Sequence, residues 1–154
     1  MTIYLHSFQN IQDDILIKLS ELDKLVFQEH WSDSQWVGLK GKEDYYLAYQ
    51  KIKLEIVTYA IFQVSVLEEM VHLLKVITIP THRKKGLALQ LLSESFPYFR
   101  RHQIKRCFLE VDCNNEDAIK LYGYLGFTKL HRIPQFYSNG SDAFTMELHF
   151  PLNN

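Results

Sequence analysis

Val76-Ile77-Thr78-Ile79-Pro80-Thr81-His82-Arg83-Lys84-Lys85-Gly86-Leu87-Ala88 is the stretch on which the fold turns. Its first residues close an apolar, β-branched run from Met70 to Ile79 that reads as a strand. Pro80 stops that strand, because proline has no amide hydrogen for a ladder bond. From Gly86 the period changes. Ala88, Leu91, Leu92, Ser95 and Phe99 fall at i, i+3, i+4, i+7 and i+11, one face of a helix. Pro97 lies within that pattern and is expected to kink the helix or end its first part. Three cations and a glycine stand between strand and helix. The first amides of a helix lack partners and carry roughly half a positive charge, so a pyrophosphate can rest there if no side chain intervenes. Gly86 and the small Ala88 supply that clearance. By spacing alone the segment is equally an ordinary basic turn that begins a helix. It is no P-loop, since the Gly-Lys-Ser/Thr ending is absent, and no dinucleotide fingerprint, since the strands before it read as antiparallel.

Upstream, Thr2 to Phe8 alternates as a short strand, and Asp13 to Glu29 carries Ile15, Leu16, Leu19, Leu22 and Val26 at helical spacing. Trp31-Ser32-Asp33-Ser34-Gln35-Trp36 reads as an N-cap opening a second, short helix that ends near Gly38 or Gly41. Tyr45 to Tyr49, Leu54 to Val66 and Met70 to Ile79 are rich in β-branched and aromatic residues. Polar breaks at Lys51-Ile52-Lys53 and Leu67-Glu68-Glu69 divide them into three antiparallel strands. Downstream, Arg106 to Val111 reads as a strand and Asn115 to Leu125 as a helix closed by Gly126. Phe127 to Tyr137 and Ala143 to Phe150 form a final hairpin. The order β-α-α-β-β-β-α-β-α-β-β is an α+β fold, a mixed, mostly antiparallel sheet of about seven strands flanked by about four helices.

A chain of 154 residues with 47% hydrophobic and 23% charged composition reads as a single domain over 1–154. At this length folding buries roughly two-thirds of the extended surface, so no metal or disulfide staple is needed. Cys107 and Cys113 are too few for a disulfide scaffold and point to a reduced, cytoplasmic setting. No apolar run matches a membrane span, and a net charge of -1 excludes attraction of the whole molecule to nucleic acid or membrane. The basic run Arg100-Arg101-His102-Gln103-Ile104-Lys105-Arg106 ends a helix, where cations favour the macrodipole, and reads as a solvated face. The seven histidines show no ligand spacing, so no metal is expected.

Two further residues bear on chemistry. Glu110 interrupts the apolar strand Leu109-Glu110-Val111, so its carboxylate is paired, exposed at a sheet edge, or a base raised by desolvation. Tyr122 shares a helix face with Ala118, Leu121 and Leu125, the position of a core aromatic.

Together, Arg83-Lys84-Lys85-Gly86-Leu87-Ala88, the strand ending in Leu109-Glu110-Val111, and Asn115 to Phe127 with Ala118, Leu121-Tyr122 and Leu125-Gly126-Phe127 resemble the GNAT superfamily of N-acetyltransferases. His30-Trp31-Ser32, Leu109-Glu110-Val111 and Phe136-Tyr137 narrow the resemblance to the bacterial ribosomal-protein S18 alanine N-acetyltransferases. The resemblance implies acetyl-CoA as cosubstrate, with Arg83, Lys84, Lys85, Gly86, Leu87 and Ala88 at its pyrophosphate. It also implies the backbone of Val76, Ile77 and Thr78 along the pantetheine and thioester, and Asn115 on the pantetheine arm. Glu110 would then be general base and Tyr122 general acid for direct acetyl transfer to a protein N-terminus. The chain departs from that family's pattern at Asp112, where arginine is usual, and in the longer, proline-containing Arg132-Ile133-Pro134-Gln135-Phe136-Tyr137. The resemblance implies that this hairpin walls the acceptor groove, so the departures bear on the acceptor and not on the cofactor.

Amine chemistry favours an N-terminus over lysine. Neutralising an α-amino group of pKa near 8 at pH 7.4 costs roughly 0.5–1 kcal/mol, whereas a lysine near 10.4 costs about 4 kcal/mol. The rivals are a small-amine acetyltransferase acting on a polyamine, amino acid or antibiotic, and a non-catalytic acyl-CoA-binding module. A monomer or weak dimer is expected, without membrane or nucleic-acid partners.

Overall fold

In a computed structural model, which describes residues 2–152, seven strands form one sheet in the order β1-β2-β3-β4-β5-β7-β6. They are β1 (Ile3–Ser7), β2 (Tyr45–Ile52), β3 (Glu55–Ser65), β4 (Met70–Thr78), β5 (Arg106–Asp112), β6 (Thr128–Ile133) and β7 (Ala143–His149). The helices are α1 (Asp13–Val26), α2 (Asp33–Val37), α3 (Leu87–Arg101) and α4 (Glu116–Tyr124). Every strand pairing is antiparallel except β4 with β5, and the α+β expectation of a mixed, mostly antiparallel sheet with four helices holds. Residues 1, 153 and 154 of the expected domain span lie outside the described residues.

Alternation along the strands gives the sheet two apolar faces, each covered by a pair of helices. Beneath α3 and α4, Phe62, Leu91, Leu92, Phe99, Cys107, Leu109 and Met146 form one core. Beneath α1 and α2, Phe8, Leu19, Trp36, Leu47, Tyr59, Ile61 and Ile77 form the other. α2 begins as its sequence predicts. The Ser32 side chain accepts from the Gln35 amide while the Gln35 side chain accepts from the Ser32 amide, a capping box.

Several details differ from the sequence reading, among them β2, which runs on to Ile52 through two of the three residues expected to break it, since they pair with Glu55 and Ile56 of β3. α1 stops at Val26 rather than Glu29, because Phe27 turns to extended geometry (φ -110°, ψ 132°) and leads the chain back over the sheet. α3 runs unbroken from Leu87 to Arg101 with Pro97 inside it. Its apolar face packs on β3 and β4, which holds the helix through the one hydrogen bond that proline forfeits. β6 ends at Ile133, immediately before Pro134, rather than at Tyr137.

One irregularity shapes the middle of the sheet. β4 and β5 pair only over Met70↔Arg106, Val71↔Cys107 and His72↔Phe108. Beyond these positions Leu73–Thr78 and Leu109–Asp112 diverge. The β3–β4 register shifts between Leu73↔Phe62 and Lys75↔Ile61, so Leu74 is the extra residue of a β-bulge. A bulge bends and twists its strand, here just where β4 leaves β5. The result is a wedge-shaped opening between two neighbouring strands.

Candidate active site

The wedge brings some of the expected residues together and leaves others out. The Ile79 amide donates to the Val57 carbonyl, and the Thr58 hydroxyl donates to the Ile77 carbonyl. Pairing alternates in an antiparallel ladder, so Ile77 and Ile79 turn their main-chain groups to β3, and Val76 and Thr78 turn theirs to the opening. Of the three residues expected to line a cofactor arm, Val76 and Thr78 therefore present backbone there. Ile77 does not, and its side chain is buried beneath α1 and α2.

At the top of the wedge, His82, Arg83 and the turn through Lys85 lead into α3. Lys84 and Gly86 both adopt left-handed backbone, with φ of 59° and 75°. A Cβ built on Gly86 would meet no protein atom within 4 Å, so the space above it is open. α3 has no side-chain cap and no acidic residue in its first turn, whereas α1, α2 and α4 each have at least one acid there. A helix start that lacks both is left for an external anion, and the neighbouring cations suit one. Lys84 is exposed. Arg83 Nε donates to the Thr78 carbonyl at 3.2 Å and Lys85 Nζ to the Thr81 carbonyl at 3.2 Å, which brace the turn. Leu87 is buried in the core and Ala88 is half-buried. These residues fit a pyrophosphate.

Glu110 lies on β5, an interior strand between β4 and β7, which removes the sheet-edge alternative. Its carboxylate is paired and half-buried, with Glu110 Oε2 2.6 Å from Nε2 of His72, the last β4 residue to pair with β5, whose register partner is Phe108. His72 escaped the sequence reading. Its only signal was its place on β4, and the parallel register that sets it beside Glu110 cannot be read from either strand alone.

Tyr122 belongs to the core under α3 and α4, the sheet face opposite to Glu110. It is a core aromatic, with its ring 5.6 Å from that of Phe127. Burial, with smaller contributions from Cys107 and Tyr137, pushes its phenol well above the ordinary range, so it keeps its proton. Asn115 acts locally, since its Oδ1 accepts from the Ala118 amide at 3.2 Å and caps α4.

The final hairpin adds Tyr137, half-buried, whose phenol is pushed up to about 12 by burial first and then by the charges of Asp112, Glu110 and Cys113. Its loop is latched to the end of β5, because Ser141 Oγ donates to Asp112 Oδ2 at 2.8 Å. Arg132 Nε donates to Asp142 Oδ2 at 2.8 Å within the hairpin. Elsewhere, the basic run at the end of α3 is partly neutralised by Lys105–Glu69 at 2.7 Å and Arg106–Glu147 at 2.9 Å. Among the described residues no helix is long and apolar enough to cross a membrane.

Comparison with known proteins gives the same direction. The model of the acetyltransferase (GNAT) family matches residues 7–127. An N-alpha-acetyltransferase MAK3 of Arabidopsis thaliana is 33% identical over 75 residues, which is 49% of this chain and 40% of that protein. The match thus spans well under two-thirds of that relative. The ribosomal-protein-S18-alanine N-acetyltransferase of Escherichia coli superposes with a TM-score of 0.86 at 21% identity, over 99% of this chain and 97% of that one. A spermidine/spermine N-acetyltransferase of Vibrio cholerae superposes with a TM-score of 0.76 at 18% identity, over 96% and 95% of the two chains. At these identities the superpositions establish the fold, and they include acceptors of two kinds.

Proposed function

The chain belongs to the acetyltransferase (GNAT) family, and from that premise we propose that it transfers the acetyl group of acetyl-CoA directly to the α-amino group of a protein N-terminus, the alanine of ribosomal protein S18 being the best-fitting acceptor. The observation that carries the reading is the Glu110–His72 pair at the mouth of the wedge, a half-buried carboxylate suited to serve as a base beside the point where two strands part. The matched N-alpha-acetyltransferase and the superposed S18-alanine enzyme support the choice of an α-amine.

Acetyl-CoA, when bound, supplies an activated thioester. Lys84, Gly86, Leu87 and Ala88 would hold its pyrophosphate through cation and helix-start amides, with Arg83 and Lys85 bracing that turn. Backbone of Val76 and Thr78, free of β5, would hold the arm, and the side-chain NH2 of Asn115, whose Oδ1 caps α4, would contact it. Glu110 accepts the proton of the acceptor ammonium, and His72 orients the carboxylate through their shared hydrogen bond. Tyr122, kept protonated by burial, would give its proton to the sulfur as the carbon–sulfur bond breaks, and the second proton shed by the acceptor nitrogen would restore it, while Glu110 releases the first to solvent. No covalent protein intermediate is needed, since the acceptor nitrogen attacks the carbonyl itself.

A small-amine acceptor is the competing reading, favoured by the likeness to the spermidine/spermine enzyme. One competition separates the two. The protein and acetyl-CoA meet equimolar Ala-, Ser- and Met-starting peptides, a blocked lysine peptide, spermidine and free amino acids, and products are read by mass spectrometry. Selective acetylation of the Ala-starting α-amine is expected. Acetylated spermidine with untouched peptides overturns the N-terminal reading.

A further inference from the structure

Asp23 is a fully buried carboxylate on α1 that the mechanism above leaves unused. Three donors surround it. Lys75 Nζ lies 2.5 Å from Oδ1, and Oδ2 accepts from the Trp31 amide at 2.9 Å and from the Trp36 indole N–H at 3.2 Å. Lys75 is nearly as enclosed, with 7% of its side chain exposed. Its ammonium sits 4.4 Å from the centre of the Trp31 ring and 4.9 Å from that of Phe27. Lysine rarely gives up water without strong compensation. A carboxylate on one side and two aromatic faces on the other provide it here.

Two placements point to what the cluster does. The bulge at Leu74 turns Lys75 to the sheet face that carries α1 and α2, the face from which His72 meets Glu110. Lys75 therefore stands three residues along β4 from the proposed catalytic pair, where that strand borders the wedge. Phe27 and Trp31 bracket the segment that joins α1 to α2, so a single ammonium ties this segment to β4 beside the opening.

We propose that Lys75, acting through Asp23, is a positioning residue that holds the α1–α2 segment as one wall of the acceptor groove and so sets which first side chain an acceptor N-terminus can carry. The inference rests on the N-terminal reading of the site. A wall held at fixed distance limits the size of that side chain, so small residues such as alanine are favoured over methionine, and a loosened wall loses that discrimination.

The decisive variant is Asp23→Asn/Lys75→Met. It removes both charges together, leaves no lone buried charge, and keeps an acceptor oxygen for both tryptophan N–H groups, so the domain folds. Trp31 and Trp36 are the chain's two tryptophans, and both touch Asp23, so acrylamide quenching of their emission reports on the wall directly. The expected result is stronger quenching, an acceptor KM for the Ala-starting peptide raised about tenfold, and a collapsed preference for Ala- over Met-starting peptides, with kcat and acetyl-CoA KM within about twofold. Lys75→Arg, which keeps the charge, is expected to retain most of the discrimination. Wild-type quenching and discrimination in the double variant overturn the proposal, as does a fall in kcat at unchanged acceptor KM. If the native protein acetylates only spermidine, the N-terminal reading fails by itself. Quenching then still decides whether the pair holds the wall, and no change overturns the clamp.

Discussion

His72, at the last paired position of β4 and β5, meets Glu110 at 2.6 Å, and Glu110 stands two residues past the partner position Phe108, where β5 has already left β4. A carboxylate placed there faces whatever enters the wedge, and the imidazole fixes its rotamer.

Glu110→Gln tests the proposed base with little change in shape. Glutamine keeps the size and a hydrogen bond to His72 but accepts no proton from an ammonium. The expected loss in kcat is about 10²- to 10⁴-fold, the usual contribution of a positioned acid or base. Acetyl-CoA affinity by calorimetry is expected to stay unchanged, because Glu110 is not among the cofactor's proposed contacts. Undiminished turnover removes Glu110 from the mechanism.

Tyr122→Phe separates an acid from a core ring. The ring packs on Phe127 and is retained in the variant, so the fold survives and the thermal midpoint moves by only a few degrees. A proton donor to the leaving sulfur is lost, and kcat is expected to fall about 10²-fold or more. In the native protein the phenol's raised pKa keeps it protonated up to and beyond pH 10, where tyrosine ordinarily titrates. Loss of activity from deprotonating Tyr122 is therefore expected only in strongly alkaline solution. Full activity in the phenylalanine variant makes the tyrosine purely structural.

Much of this was legible in the sequence because it is local. Gly86 marked the start of α3, the stretch Trp31 to Trp36 marked the cap of α2, and the β-branched runs separated by short polar breaks marked the three central strands. What stayed hidden depends on pairing between distant segments. Glu110 was visible as an anomaly in an apolar strand, yet its partner His72 is set by a parallel register only three residues long. Asp23 is, in sequence, one more polar residue of an amphipathic helix until the fold brings Lys75, 52 residues later, against it. The course of α3 through Pro97 was hidden for a like reason, since tertiary packing outweighed a local rule.

Gly86→Ala tests the cradle above α3. A residue with φ of 75° is strained by any Cβ, at a cost of roughly 1–2 kcal/mol in left-handed backbone. The added methyl meets no protein atom within 4 Å, so no further clash with the domain is expected. It does enter the space assigned to the pyrophosphate. The expected pattern is a modest fall in thermal midpoint with an acetyl-CoA KM raised about tenfold or more, and a kcat at saturating cofactor close to native. A stability loss without any change in acetyl-CoA KM removes the pyrophosphate from this turn.

Tyr137 offers a test by pH. Its phenol is pushed up to about 12 by burial and by the neighbouring Asp112, Glu110 and Cys113, so the folded protein holds that proton more tightly than the unfolded chain, where tyrosine titrates near 10. The sign follows from linkage. The stability that this shift contributes is complete below pH 10 and is lost as pH rises from 10 toward 12. Difference absorbance at 295 nm between native protein and Tyr137→Phe is expected to show one phenol titrating near pH 12, and the variant's stability is expected to decline less steeply over that interval. Asp112→Asn removes one of the charges that raise the phenol and is expected to move its midpoint down toward 10, while Ser141 keeps an oxygen to donate to and the hairpin stays latched. A midpoint near 10 in the native protein places the phenol in solvent, away from Glu110 and outside the acceptor groove.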